Sequence, residues 1–491
     1  MKYISKALIL VLFLITFKTY SQQKTIRLTL EEVIDLAISQ SPDSYIAKHR
    51  FLGKYWQYRS FKARYLPSLS LKSTLLNYNN SIRKTILDGQ DAFVEQNSNN
   101  SSMQLSLNQN IGLTGGSIFL NSDILRLDQF NDSTTSYSST PISIGIIQPI
   151  LSFNSLKWER KIEPIKYDEA KKEYIKSIEQ ISMDAVSYFF DLASAQMNVQ
   201  IAKINYSNTD TLYRISIGRY NIGKIAKNEL LQMELSFLNS NTDVNNSELN
   251  LKIKEFKLRS FLGFNETVKL ELIVSDKIPD LEVDVAKAID LALENNPDVL
   301  KYQRQLIESE RDVAKAKAEN RFNANLSLNY GLSQTAPEVQ DVYIDPQQTS
   351  NIYFGIDIPI IDWGLGKGNV KMAKSNQEVT RIITEQAKID FQQNIFLKVM
   401  QFNMQDDQVK IAAKADTIAQ SRYDITKQRF LIGKVDVLNL NDALSEKDVK
   451  KRSYINTLRA YWNYYFTIRM LTLFDFEKDQ PLIQDFDKLI E

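Results

Sequence analysis

The sequence predicts a mixed α+β chain built from two internal repeats. Each repeat runs from short helices through strands into a long helical hairpin. Three observations predict it. Gly218-Arg219-Tyr220-Asn221-Ile222-Gly223-Lys224 and Gln428-Arg429-Phe430-Leu431-Ile432-Gly433-Lys434 are near copies. Each lies in a stretch almost free of helix breakers. There is no proline between Ile165 and Ile278 or between Ile360 and Gln480, and Gly218, Gly223 and Gly433 stand nearly alone there. Runs of period-two alternation precede both stretches.

The register of the duplication is constant across the hairpins. Pro149 pairs with Pro359, Arg219 with Arg429, Gly223 with Gly433 and Arg259 with Arg469, always 210 apart. Upstream, Ile34-Asp35-Leu36-Ala37 matches Ile289-Asp290-Leu291-Ala292 at an offset of 255. The first copy therefore carries about 45 extra residues before Pro149, the difference of the two offsets.

The N-terminus has basic Lys2 and Lys6, the apolar run Ala7 to Phe17, and Thr19-Tyr20-Ser21 before polar Gln22. That pattern is a secretory signal peptide over 1–21, too short to be read as a membrane span. The chain has no cysteine, which excludes disulfides, a lipid-modified cysteine and thiolate metal sites. Losing Lys2, Lys6 and Lys18 takes 60 basic and 59 acidic residues to 57 and 59, a net charge of −2. No nucleic-acid partner is indicated.

The organisation that follows has a first repeat over 22–275 and a second over 276–475, with a tail at 476–491. Thr29-Leu30-Glu31-Glu32 is a capping box opening a helix to about Ser39. Ser41 and Pro42 open a second helix to about Tyr65. Asp284 and Asn296-Pro297 open their counterparts, to Leu293 and about Arg321. Strands are expected over about 66–150 and 324–360. Met103, Leu105, Leu107 and Leu326, Leu328, Tyr330 alternate with polar residues there. Alternation alone does not say whether the apolar side faces outward or inward. Thr114-Gly115-Gly116 marks a tight hairpin, so the first repeat could supply four strands and the chain six, the extra hairpin either widening the sheet or lying beside it. Polar loops are expected at 77–100, 129–140 and 334–348.

The hairpins are expected at 154–262, with its tip at 218–224, and at 365–474, with its tip at 428–434. The outgoing helices, Asn154 to Ile217 and Leu365 to Gln428, are about 64 residues each. At 1.5 Å per residue each is ~96 Å long. Helices of that length must pack on parallel or antiparallel neighbours.

Chemistry is missing. His49 lies between Lys48 and Arg50 on a helix and reads as a solvated or packing residue rather than a catalyst. Gly364-x-Gly366-x-Gly368 follows a strand and opens a long helix, and a strand-to-helix turn explains it better than nucleotide binding. No catalytic residue, metal site or cofactor is indicated, and the chain is not read as an enzyme.

The order of elements, its repetition, the doubled Arg-Tyr/Phe-x-x-Gly tips and the doubled Ser41-Pro42 and Asn296-Pro297 helix starts resemble the TolC-like outer membrane efflux proteins. The resemblance covers nearly all of Thr29 to Phe474. It implies a homotrimer whose chains jointly close an outer-membrane β-barrel, continued by a long periplasmic α-helical barrel. It implies a passive duct for small molecules, fed by an inner-membrane transporter through a periplasmic adaptor, with outer-membrane lipid around it. The tips, with Arg219, Tyr220, Gly223, Lys224, Arg429, Phe430, Gly433 and Lys434, would then dock the adaptor. The family places acids six residues after the tip glycine and, in the second copy, also nine after. Here those positions hold Glu229, Asn439 and Asp442. Asn439 departs from the pattern and makes the implied ring of carboxylates less acidic. The plainer reading makes all three solvated residues of a helix start, favoured by the helix dipole. The same architecture also fits a protein-secretion duct, and a pore-less periplasmic coiled coil is the alternative from another class.

Overall fold

A computed structural model describes residues 25–87, 90–264 and 268–490. The proposed signal peptide, 1–21, lies outside the described residues. The helices are α1 (Leu30–Gln40), α2 (Pro42–Ala63), α3 (Ser155–Asn221), α4 (Lys227–Phe261), α5 (Val285–Asn295), α6 (Pro297–Glu319), α7 (Leu365–Asn403), α8 (Gln405–Leu431), α9 (Val437–Thr472) and the short α10 (Phe486–Ile490). The strands are β1 (Thr25–Leu28), β2 (Ser68–Thr74), β3 (Tyr78–Leu87), β4 (Gln90–Ile111), β5 (Gly116–Gln129), β6 (Thr134–Ile150), β7 (Lys269–Leu272), β8 (Asn323–Ala336), β9 (Gln347–Asp357), β10 (Phe474–Asp475) and β11 (Gln480–Pro481).

Helix starts fall where their side chains cap them. Thr29 and Glu32 form the reciprocal capping box of α1. Ser41 and Asn296 cap α2 and α6, each with proline in the first turn. Asn154 caps α3, accepting the Lys157 N–H at 3.0 Å. With 67 residues, α3 runs unbroken to the first tip and spans about 100 Å. Its counterpart is not one helix. It breaks at Met404 into α7 and α8. There the Asn403 side chain leaves the helix surface to bond both the N–H and the carbonyl of Val283, at 3.0 and 2.9 Å. That tether to the preceding linker supplies the local distortion a smooth helix would not show.

The two repeats meet around α3 and α9. The largest core gathers Phe189 and Phe190 from α3, Phe402 from α7, and Tyr461 and Phe466 from α9. Each such ring contributes roughly 1.5–3 kcal/mol by leaving water. Helices α1, α2, α5 and α6 wrap this middle zone, and β1 joins β7 in a parallel pair. The tail is folded back onto it: β10 pairs with β11, and Phe486 lies 5.0 Å from the Phe51 ring.

At one end stands an antiparallel sheet in the order β2-β4-β5-β6-β8-β9, with β3 also paired to β4. Strands β2 and β3 are two halves of one edge strand. Thr74 faces Ser102 and Tyr78 faces Asn99, so the edge carries one extra residue there. Asn99 and Ser101 hold the bulge, accepting the Asn77 N–H at 2.9 Å and donating to the Leu75 carbonyl at 2.7 Å. The sheet is therefore six strands abreast, and the Thr114–Gly116 hairpin lies in line within it, with Gly115 at φ 77°.

Two expected loops are strands. Residues 77–100 form the β3–β4 hairpin, and within 129–140 only a four-residue turn separates β5 from β6. Asparagine, serine and lysine hid these strands from the sequence. Their ladder is made by backbone groups, and among the described side chains of β3 most are exposed, so no apolar face is needed. The third, 334–348, is a loop from 337 to 346 around a 3-10 turn, Asp341–Tyr343.

The alternation now has a direction. Leu71 faces Leu105, Leu107 faces Leu120, Leu120 faces Ile144, Ile146 faces Leu328 and Leu328 faces Ile352. These side chains share one face of the sheet, because each pairing keeps its register on one side. Leu71, Leu105, Ile144 and Ile352 are among the exposed large apolar residues of the chain, with no helix over them. The opposite face carries Ser70, Ser106, Asn121, Ser143, Asn329 and Asn351. There Phe119 packs over Gly145, its ring occupying the space a Cβ would need. Among the described residues no helix is long and apolar enough to cross a membrane.

Candidate functional site

The two hairpin tips lie side by side at the end of the helices remote from the sheet. Both end in the same way. Gly223 and Gly433 take φ 72° and 75°. The N–H of Lys224 reaches the Arg219 carbonyl at 2.8 Å, and that of Lys434 reaches the Arg429 carbonyl at 2.9 Å. This is the six-to-one bond of a glycine-terminated helix, and it needs a left-handed residue at that point. Both lysines are exposed. A small core ties the tips together: Leu212 of α3, Met233 of α4, Tyr423 and Phe430 of α8, and Leu440 of α9. Burial pushes the Tyr423 phenol up to about 12.

One arginine joins the two tips. The Arg219 guanidinium donates to the Phe430 and Leu431 carbonyls at 3.1 and 2.8 Å and lies 5.1 Å from the centre of the Phe430 ring. These carbonyls belong to the end of α8, where the Phe430 carbonyl also accepts the Gly433 N–H at 2.9 Å and the last turn leaves acceptor capacity outside the helix ladder. Arg429, the counterpart, is exposed, and its side chain has no ion pair or hydrogen bond among the described residues. Tyr220 is 38% exposed.

The helices returning from the tips start differently. Asp436 caps α9, accepting the Asn439 N–H at 2.8 Å, while Ala226 gives α4 no side-chain cap. The Asn439 side chain also donates to Asp436, at 2.8 Å. Glu229 stands in the first turn of α4, half-buried. Asp442 is exposed but not free: Arg422 Nη2 reaches its carboxylate at 2.7 Å. Arg422 also pairs with Glu446, one turn further along α9. Sequence reasoning named Asp442 and Asn439 but missed Arg422, Asp436 and Glu446. Asp436 was findable, as an aspartate three residues before Asn439 at a helix start. Arg422 was not, because it lies on the antiparallel partner helix, twenty residues away.

Away from the tips, Gly364 opens α7 at φ 92°, and the Asp362 carboxylate accepts the N–H of Gly364 at 2.9 Å and of Gly366 at 2.8 Å. The glycine-rich segment is a strand-to-helix turn. His49 is exposed on α2. Among the described residues no group of histidine, cysteine or carboxylate side chains could hold a metal ion.

A six-strand sheet with a bare apolar face, running into paired helical hairpins of such length, defines a membrane-embedded channel protein. The family model for outer membrane efflux proteins matches residues 33–264 and 288–464, and the chain belongs to that family. It is an outer-membrane protein extending into the periplasm, and not an enzyme. A solved structure of the CmeC outer membrane channel of Campylobacter jejuni superposes with a TM-score of 0.67 at 17% identity, over 94% of this chain and 88% of that one. The outer membrane protein VceC of Vibrio cholerae gives 0.63 at 12% identity, over 92% and 97%. Among relatives by sequence is Toxin and drug export protein A of Aggregatibacter actinomycetemcomitans, 23% identical over 281 residues. That match takes in 54% of this chain and 58% of the relative, less than two thirds of its length.

Proposed function

We propose that the chain forms a homotrimeric exit duct, closing a barrel in the outer membrane and a helical tunnel below it. The observation that carries this reading is the uncovered apolar face of a sheet with two open edges. An exposed sheet edge and an exposed apolar face are both unfavourable for a lone chain in water. Lipid satisfies the face, and another copy satisfies the edges. All the neighbouring strands are antiparallel and six stand abreast, so β2 and β9 at the two edges run in opposite directions. The β9 of one copy can therefore extend the ladder onto the β2 edge of the next without breaking the pattern. Three copies of six strands give a barrel of about eighteen, wide enough for an aqueous lumen.

In this arrangement the tips form the periplasmic mouth. Glu229, Asn439 and Asp442 recur around its axis, with Arg422 and Glu446 beside Asp442. Tyr220, Lys224 and Lys434 lie exposed at the rim, where a periplasmic adaptor would dock and join the duct to an inner-membrane transporter. Arg219, Phe430, Gly223 and Gly433 shape the tips it meets. The cargo is a small molecule. The printed name of the Aggregatibacter relative pairs toxin with drug, which keeps a protein-secretion duct as the second reading.

Purified protein from outer-membrane fractions is expected to run as a heat-sensitive oligomer and to give discrete conductance steps in planar bilayers. A monomer found only in the soluble periplasmic fraction, with no conductance, would contradict the duct.

A further inference from the structure

The in-chain clasp of Arg219 on the second tip has an unfilled twin. We infer that Arg429 makes the same clasp on a second copy, donating to the Tyr220 and Asn221 carbonyls of the adjacent chain and lying on that Tyr220 ring. The inference rests on the oligomeric duct proposed above.

Four observations carry it. The 210-residue offset that maps Arg219 onto Arg429 also relates Tyr220 to Phe430 and Asn221 to Leu431. Thus the acceptors of the second clasp are the counterparts of the observed ones. The Arg429 side chain is exposed without a partner among the described residues, while Tyr220 is 38% exposed. Both tips have the same backbone geometry, so the end of α3 presents its last carbonyls as the end of α8 does.

The helix edges fit as well. Helix α3 packs on α4, α9 on α8, and α3 on α9, which leaves α4 and α8 as the flanks of the arc. Each flank carries an unpartnered apolar seam. Leu397, Met404, Ile411, Ile418 and Ile425 recur every seven residues along α7 and α8, all more than half exposed. Leu231, Leu235 and Leu238 begin the seam of α4 at four–three spacing, also more than half exposed. Seven-residue and four–three repeats are what two helices bury against each other. The repeat symmetry that places α9 on α3 within a chain places α4 of the next copy on α8. That contact brings Arg429 to the neighbouring tip.

The absence of native cysteine makes the test clean. A chain carrying R429C and N221C is oxidised as the assembled oligomer, beside a control carrying R219C and L431C. The expected result is a ladder of covalently linked copies from the first pair, and no gain in mass from the control. A separate R429A chain should show at least about a tenfold rise in the fraction of time the mouth conducts, equivalent to about 1.4 kcal/mol. An intact oligomer in which only the control pair forms would overturn the clasp and leave the duct standing. Failure to form any oligomer would overturn both.

Discussion

Arg422 and Asp442 face each other across the second tip, Nη2 to Oδ2 at 2.7 Å, from helices that run in opposite directions. The acid nine residues after Gly433 thus carries its own counter-ion. Any ring these carboxylates form is partly neutralised, since Arg422 holds Glu446 too. The pair is exposed, so its contribution to stability is small and its effect is on the local field.

Replacing Arg422 by alanine releases two carboxylates per chain. Assembly should persist, and block by divalent or trivalent cations should strengthen several-fold, most at low salt. R422A with D442N should return toward the parent. Bilayer recordings with cation titrations check this. Unchanged block in R422A would remove the pair from the mouth.

The two repeats use one arginine differently. Arg469 is bidentate to Glu179, at 2.8 and 3.1 Å, and bonds Asp475 at 2.6 Å, with all three side chains largely buried. Its counterpart Arg259 donates to the Val268 carbonyl at 3.1 Å. R469M leaves two buried carboxylates without a cation and should cost about 3–5 kcal/mol. R259M should cost about 1 kcal/mol. Denaturant melts followed by circular dichroism separate them. Equal losses would contradict the assignment.

Asp362 gives the turn from β9 into α7 a pH response. Backbone bonds from Gly364 and Gly366 hold its carboxyl below the usual range. A lowered folded value means the bonds contribute above the ordinary carboxylate range near pH ~4 and are lost as pH falls through the depressed value. Amide protection at Gly364 and Gly366 should hold at neutral pH and drop only in strong acid. In D362A it should be low throughout. Protection in the parent that ignores acid would contradict this reading.

Much of the plan was legible because it is written in local residue chemistry. The capping box at Thr29, the prolines at 42 and 297, and Gly223 and Gly433 each fix a helix end whatever surrounds them. The Gly115 hairpin and the six-strand count were legible for the same reason. The polar β3–β4 hairpin was not, since its ladder is independent of side-chain pattern. Nor was the break at Met404, which depends on Asn403 meeting Val283, distant in sequence. At the candidate site, the tips were visible in the repeat. The neutralising Arg422 needed two antiparallel helices in register.

The central claim is that the apolar face of the sheet meets lipid and the polar face a watery lumen. Single cysteines at Met103, Gln104, Leu105 and Ser106 of β4 test it most directly, in oligomer embedded in outer membrane. A water-soluble maleimide should label Q104C and S106C and spare M103C and L105C, which a lipid-borne quencher should reach instead. Uniform labelling, or water reaching the odd positions alone, would contradict the barrel wall.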